Sequence, residues 1–160
     1  MRASDLAQLM TTSSADVLDS MYFTTVTETE IEAELPVFGD GPIGFTLRFA
    51  GDISGVFGLS VDVAAALTMA ANFLGEEESD VSPAEVDEVV GELANMLCGS
   101  LVSGISSAQK FVLSHPEPLL AQTVVKSAAR ALGDTLVIKM DTDYGVVRVW
   151  VNVDHNECAL

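Results

Sequence analysis

Residues 82–106, SPAEVDEVVGELANMLCGSLVSGIS, carry the clearest structural signals of the chain. The segment opens with Ser82-Pro83-Ala84-Glu85, a capping box with proline at the first helical position, and both features mark a helix N-terminus. Apolar residues then recur at spacings of three and four, the period of a helix with one buried face. They are Val86, Val89, Val90, Leu93, Leu97, Leu101 and Ile105. We therefore predict a long helix that runs to about Ser106 and packs on a core.

A second stripe on this helix is polar or small, and its members share one side because they too are three or four residues apart. They are Glu88, Glu92, Asn95, Gly99 and Ser103. Inside a helix, asparagine costs about 0.7 kcal/mol and glycine about 1 kcal/mol relative to alanine, so the stripe does not favour helix stability. A partner surface that approaches the backbone at Gly99 would explain it. An ordinary solvated helix face is the competing interpretation.

The segments before this helix indicate one further helix and an exposed strand. Residues 4–21 place apolar side chains at helical spacing, which predicts an amphipathic helix from Ser4 to Met21. In Thr24–Leu35, β-branched residues alternate with glutamates, which predicts a half-exposed strand with the acids on one face. Residues 37–44, VFGDGPIG, are predicted to form a loop because glycine and proline interrupt them.

Two later segments, Ile43–Val61 and Thr135–Val153, each join two apolar runs through a turn that carries Asp and Gly, so both predict β-hairpins. A helix, Val63–Leu74, follows the first hairpin. Because a long helix precedes each hairpin, we infer a weak internal repeat of helix, strand and hairpin. The order predicts one α/β (α+β) domain over residues 1–160, with a sheet of about six strands packed against two long helices.

The connection between the long helix and the last hairpin is less clear. Lys110–Leu113 predicts a short strand, and residues 114–118, SHPEP, predict a turn. Leu119–Leu132 fits a helix as well as strand and loop. Within the turn, His115 is interpreted as a solvated loop residue, and His155 lies near a chain end, where fraying is common.

Composition excludes several classes of protein. The chain has 160 residues, and its 24 acidic against 7 basic side chains give a formal net charge of -17. Such a surface repels phosphate backbones and anionic lipid, so we expect neither nucleic acid nor a membrane as a partner. The most apolar stretch is about half the length of a membrane span. Cys98 and Cys158 form neither a disulfide framework nor a C-x-x-C zinc pattern. We expect a soluble, cytoplasmic protein.

The polar stripe resembles the signature of a known family. Glu88-x3-Glu92-x2-Asn95, followed after 22 residues by Pro118, resembles the pattern of the CheC/CheX/FliY phosphatases, which is Asp or Ser, x3-Glu-x2-Asn, 22 residues and Pro. Residues 95–99 also match the apolar pair and glycine that usually follow the asparagine. Glu88 departs from the usual Asp or Ser. In the first helix, Leu9 and Thr12 align with Glu92 and Asn95, so the single site is CheX-like.

This resemblance implies a protein-aspartyl-phosphate phosphatase that acts on a CheY-like response regulator in chemotaxis or a related two-component pathway. Asn95 would orient the attacking water and Glu92 would pair with the lysine of the receiver domain. Glu88 would add a contact with the partner. Gly99 would be a second contact, at the point where the partner comes close to the helix backbone. The resemblance also implies that Mg²⁺ sits in the receiver, that this chain binds no metal or cofactor of its own, and that it forms a homodimer. Pro118 is interpreted as structural.

Two other readings remain open. A non-catalytic adaptor could bind and sequester a phosphorylated receiver, and an acidic scaffold could carry the pattern by chance. Retention of both Glu92 and Asn95 favours the enzyme over the adaptor, because an adaptor needs the contact but has no need to orient water.

Overall fold

A computed structural model of the protein describes residues 3–33, 41–105, 110–119 and 135–154. Its elements, in chain order, are α1 (Ala3–Tyr22), β1 (Val26–Glu32), β2 (Ile43–Ala50), β3 (Gly55–Val61), α2 (Val63–Leu74), a 3-10 turn (Glu78–Asp80), α3 (Pro83–Ile105), β4 (Val112–Leu113), β5 (Glu117–Pro118), β6 (Thr135–Thr142) and β7 (Val146–Val153). Most of Leu119–Leu132 and the region around His155, for which we made predictions above, lie outside the described residues.

The strands form one antiparallel sheet in the order β1-β6-β7-β3-β2-β4, and β5 also pairs with β2. The two hairpins, β2–β3 and β6–β7, meet where β3 pairs with β7. The strand that precedes each hairpin pairs with the first strand of the other hairpin: β1 with β6, and β4 with β2. This exchange has the symmetry that a repeat of helix, strand and hairpin would produce.

The core lies between the sheet and the helices. Helices α1 and α3 pack side by side on the sheet, with α1 over β1 and β6 and α3 over β2 and β3, and α2 packs against both. The apolar stripe predicted for α3 is buried in this core from Val86 to Leu101, and Ile105 is half-buried at its end. The predicted α/β class, with a sheet packed against two long helices, is confirmed. None of the described helices is long and apolar enough to cross a membrane.

The capping box predicted at the start of α3 forms its two expected hydrogen bonds. The backbone N–H of Ser82 donates to Oε1 of Glu85 at 3.1 Å, and the N–H of Glu85 donates to Oγ of Ser82 at 3.2 Å. This reciprocal pair satisfies two backbone donors that the first turn leaves without helical partners. The capping box therefore fixes where α3 begins.

The sheet has seven strands rather than about six, because part of the predicted turn at residues 114–118 is a strand. Glu117 and Pro118 pair with Thr46 and Phe45 at the outer side of β2. Proline is accepted there because an edge strand can leave a backbone position without a donor. Strand β2 begins at Ile43, where the hairpin Ile43–Val61 was predicted to begin, so the predicted loop at residues 37–44 was wrong only for its last two residues.

Strand β1 is more exposed than the predicted half-exposed strand. Glu28 and Glu30 are exposed and Glu32 is half-buried, but Thr27 and Thr29 are exposed too, and Ile31 is 60% exposed. An open groove separates β1 from α1 and leaves the inner face uncovered. The alternation in the sequence correctly indicated a strand, whereas burial of the apolar face depends on how closely α1 approaches.

Gly58 on β3 lies directly opposite Trp150 on β7, and a Cβ atom at Gly58 would overlap the indole ring. Trp150 is buried, so the ring has little room to move. We expect Gly58→Ala to lower the free energy of unfolding by roughly 1–3 kcal/mol, measured by urea denaturation. Gly41→Ala is the control, because no atom of the described residues beyond its chain neighbours lies within 4 Å of a Cβ added there. Equal stability of both variants would show that the indole moves aside.

Candidate active site

The polar stripe of α3 faces a groove. Glu88 and Glu92 are exposed and Asn95 is half-buried, and all three line this groove of about 800 Å³ between α3 and residues 113–119. The structure therefore brings three of the four predicted site residues together. The other lining residues are Pro42, Ile43, Gly44, Phe45, Asp87, Gly91, Leu113, Ser114, His115, Pro116, Pro118 and Leu119.

Gly99, the fourth predicted site residue, lies one turn beyond Asn95 and does not line the groove. A Cβ atom added to Gly99 would be 3.8 Å from Cδ1 of Leu113, which is ordinary van der Waals contact. Within the described part of the chain, no atom therefore requires glycine at this position. A partner contact at Gly99 stays a prediction.

The wall opposite α3 is held by strand pairing. The N–H of Leu119 donates to the carbonyl of Gly44 at 2.8 Å, and the N–H of Arg48 donates to Oγ of Ser114 at 2.8 Å. These bonds fix β4 and β5 against β2, so that residues 113–119 run alongside the strand on which α3 packs. Pro118 lies in this wall, which agrees with a structural role for it.

Asp87, Gly91 and His115 are among the groove residues that were not predicted as site residues. Asp87 and Gly91 precede Asn95 at steps of four, a helical spacing that could have indicated a second stripe beside the first. A Cβ at Gly91 would be 3.5 Å from Phe45, so this glycine lies against the groove floor. His115 is exposed, as predicted for a loop residue, but it also lines the groove opposite the carboxylates. No local signal places His115 there.

The amide of Asn95 and the carboxylate of Glu92 form no hydrogen bond or ion pair with another described residue. A side-chain amide can both donate and accept, and a carboxylate accepts from cations and donors. Both side chains project from the middle of a helix whose opposite face is buried, which fixes their backbone positions. The arrangement can therefore hold a water molecule with Asn95 and a cationic group with Glu92.

Two other ionisable groups of the region lie inside the protein. Burial raises the pKa of Cys98 to about 12, so its thiol is neutral at physiological pH and unsuited to act as a nucleophile. Burial, and then the nearby charge of Glu92, raise the pKa of Tyr22 above its ordinary value, so its hydroxyl remains a neutral donor. Over the described ranges, no three His, Cys, Asp or Glu side chains lie close enough together to hold a metal ion.

Solved structures with this fold include several chemotaxis proteins. CheX from Desulfovibrio desulfuricans superposes with a TM-score of 0.70 at 16% identity, over 94% of this chain and 99% of that chain. CheX of the CheX–CheY–BeF3–Mg complex from Borrelia burgdorferi gives 0.67 at 18% identity, over 93% and 97%. FliY from Thermotoga maritima gives 0.63 at 15%, over 92% and 86%. At these identities the similarity shows the fold alone.

A search of curated protein sequences gave no match. The family model described as chemotaxis phosphatase CheX matches residues 43–140, which is more than half of the chain. The matched region includes α3 with Glu88, Glu92 and Asn95, and it extends through Pro118 into β6. The fold, the groove and the matched model agree, and the chain belongs to the CheX family of chemotaxis phosphatases.

Proposed function

We propose that this protein hydrolyses the aspartyl phosphate of a CheY-like response regulator, with Asn95 orienting the attacking water and Glu92 pairing with the receiver lysine. The observation that carries the proposal is the position of both side chains, solvent-accessible and without described partners, on one side of the groove. The complex of a CheX with CheY from Borrelia burgdorferi, which has the same fold, supports a receiver as the partner.

The chemistry suits an amide. Phosphoryl transfer passes through a loose transition state, so a strong base is less important than a water molecule held in line with the breaking bond. Asn95 can accept a hydrogen bond from that water and donate one to a phosphoryl oxygen. Such positioning could lower the barrier by about 2.7 kcal/mol, which corresponds to about a hundredfold in rate.

Glu92 lies one turn before Asn95, so a cation bound by Glu92 would hold the phosphoryl group close to Asn95. The Mg²⁺ needed for the reaction would come with the receiver. Glu88 is exposed one turn further back on the same side of α3, where it is suited to a second contact with the partner. Homodimer formation and a cytoplasmic location stay predictions, and sedimentation of the full chain tests the first.

The adaptor is the second candidate function, and turnover distinguishes it from the enzyme. With a chemically phosphorylated CheY-like receiver, Mg²⁺ and substoichiometric protein, we expect phosphate release to continue through many turnovers of each protein molecule. An adaptor would bind receivers only up to a one-to-one ratio with the protein. It would not accelerate phosphate release from the remaining receivers. A receiver that binds tightly but loses phosphate at its own rate would contradict the phosphatase and favour the adaptor.

A further inference from the structure

The C-terminal end of α1 places a buried tyrosine against α3, next to Met96. Tyr22 is 0% exposed, and its ring stacks on Phe73 with the ring centroids 5.0 Å apart. The backbone carbonyl of Tyr22 accepts hydrogen bonds from Nδ2 of Asn72 at 3.3 Å and from Oγ1 of Thr24 at 3.0 Å. The ring and the backbone are thus both held, and the hydroxyl has a fixed position against α3.

That hydroxyl has a poor partner for a buried donor. It donates to Sδ of Met96 at 3.4 Å, and a thioether sulfur is a weak acceptor. Met96 lies four residues after Glu92, so the two side chains share one side of α3, and the contact with Met96 brings the hydroxyl close to Glu92. A carboxylate is a much stronger acceptor, because a hydrogen bond to a charged oxygen is about twice as strong as a neutral one.

Glu92 is near enough for its charge to act on Tyr22, since that charge is the second cause, after burial, of the raised pKa of the phenol. In the free chain the carboxylate of Glu92 is exposed and can be solvated by water. A receiver bound over the groove would exclude that water. In a medium of lower dielectric constant the hydrogen bond from a fixed neutral donor to the carboxylate becomes stronger.

We propose that Tyr22 is a positioning residue for Glu92: when a receiver covers the stripe, the Tyr22 hydroxyl donates to one carboxylate oxygen of Glu92 and directs the other towards the receiver lysine. This inference rests on the proposed function. It assigns a role in the receiver complex to a residue of α1, outside the Glu-x2-Asn pattern on α3.

The Tyr22→Phe variant keeps the stacked ring and removes only the hydroxyl. We expect KM for the phosphorylated receiver to rise about fivefold, the effect of roughly 1 kcal/mol, with kcat changed less than twofold and the melting temperature nearly unchanged. Tyr144→Phe is the matched control, because the only other tyrosine of the chain is partly exposed in the β6–β7 turn. A hydroxyl that serves packing alone would leave KM unchanged in Tyr22→Phe.

A double-mutant cycle with Glu92→Ala separates positioning from an indirect structural effect. If the hydroxyl acts through Glu92, Tyr22→Phe has little further effect on kcat/KM once Glu92 is alanine. Additive losses in the double variant would overturn the proposal, even if the protein is a phosphatase.

A second measurement does not depend on turnover. In the Tyr144→Phe background, we expect the ¹³Cζ resonance of Tyr22 to shift when a beryllofluoride-activated receiver binds, and not to shift in Glu92→Ala. If the protein binds the receiver without turnover, the shift would still appear. Only the proposed phosphatase activity would then be contradicted. An unchanged resonance on receiver binding, or a cognate receiver that does not bind, would overturn the positioning role.

Discussion

The Asn95→Ala variant is expected to lose about a hundredfold in kcat for dephosphorylation of the receiver. Of the stripe residues that line the groove, Glu88, Glu92 and Asn95, only Asn95 has a side chain that both donates and accepts. Affinity for a beryllofluoride-activated receiver should change little, since the exposed carboxylates of α3 remain. Single-turnover phosphate release with excess protein measures the chemical step, and titration with the activated receiver measures binding.

The fold is not at risk in this variant. Alanine is more favourable than asparagine inside a helix by about 0.7 kcal/mol, and Asn95 forms no hydrogen bond with another described residue, so Asn95→Ala should melt at the wild-type temperature or slightly above. Ser103→Ala is the matched control, because Ser103 is exposed on the same stripe, two turns after Asn95 and outside the groove. Full turnover in Asn95→Ala would remove the amide from the mechanism.

The sequence allowed one side of the site to be predicted and not the other. Glu88, Glu92 and Asn95 were predicted to share one side because they lie on a single helix, where a fixed period relates sequence to space. The start of that helix was also encoded locally, in the capping box of Ser82 and Glu85. Information of this kind is contained in a few neighbouring residues, so it can be read without knowing the fold.

The opposite side depends on long-range pairing. His115 and Pro118 reach the groove only because β4 and β5 pair with β2, more than sixty residues earlier in the chain. Two-residue strands have no detectable alternation, and a proline argues against a strand. For the same reason the exposure of Ile31 was not predicted: the alternation in β1 cannot reveal the groove that separates this strand from α1.

The Glu92→Lys variant is expected to lower kcat/KM for the phosphorylated receiver several-hundredfold, because an attractive contact with the receiver lysine becomes a repulsion between two ammonium groups. Like charges facing each other in an interface cost several kcal/mol. We expect most of the loss in KM, and partial recovery as salt increases, since dissolved ions screen the repulsion. Steady-state kinetics with one receiver at low and high ionic strength measures both effects.

Charge reversal at Glu92 should spare the fold, because the side chain is exposed and lysine and glutamate have similar helix propensities. Glu76→Lys makes the same change in net charge at an exposed position outside the groove, so it corrects for the weaker general repulsion of a chain with a net charge of -17. If Glu92→Lys only matched that control, no cation of the receiver would meet Glu92. The pairing of Glu92 with the receiver lysine would then have to be abandoned. The role of Asn95 would stand, but Asn95 would orient the water without an ion pair one turn away.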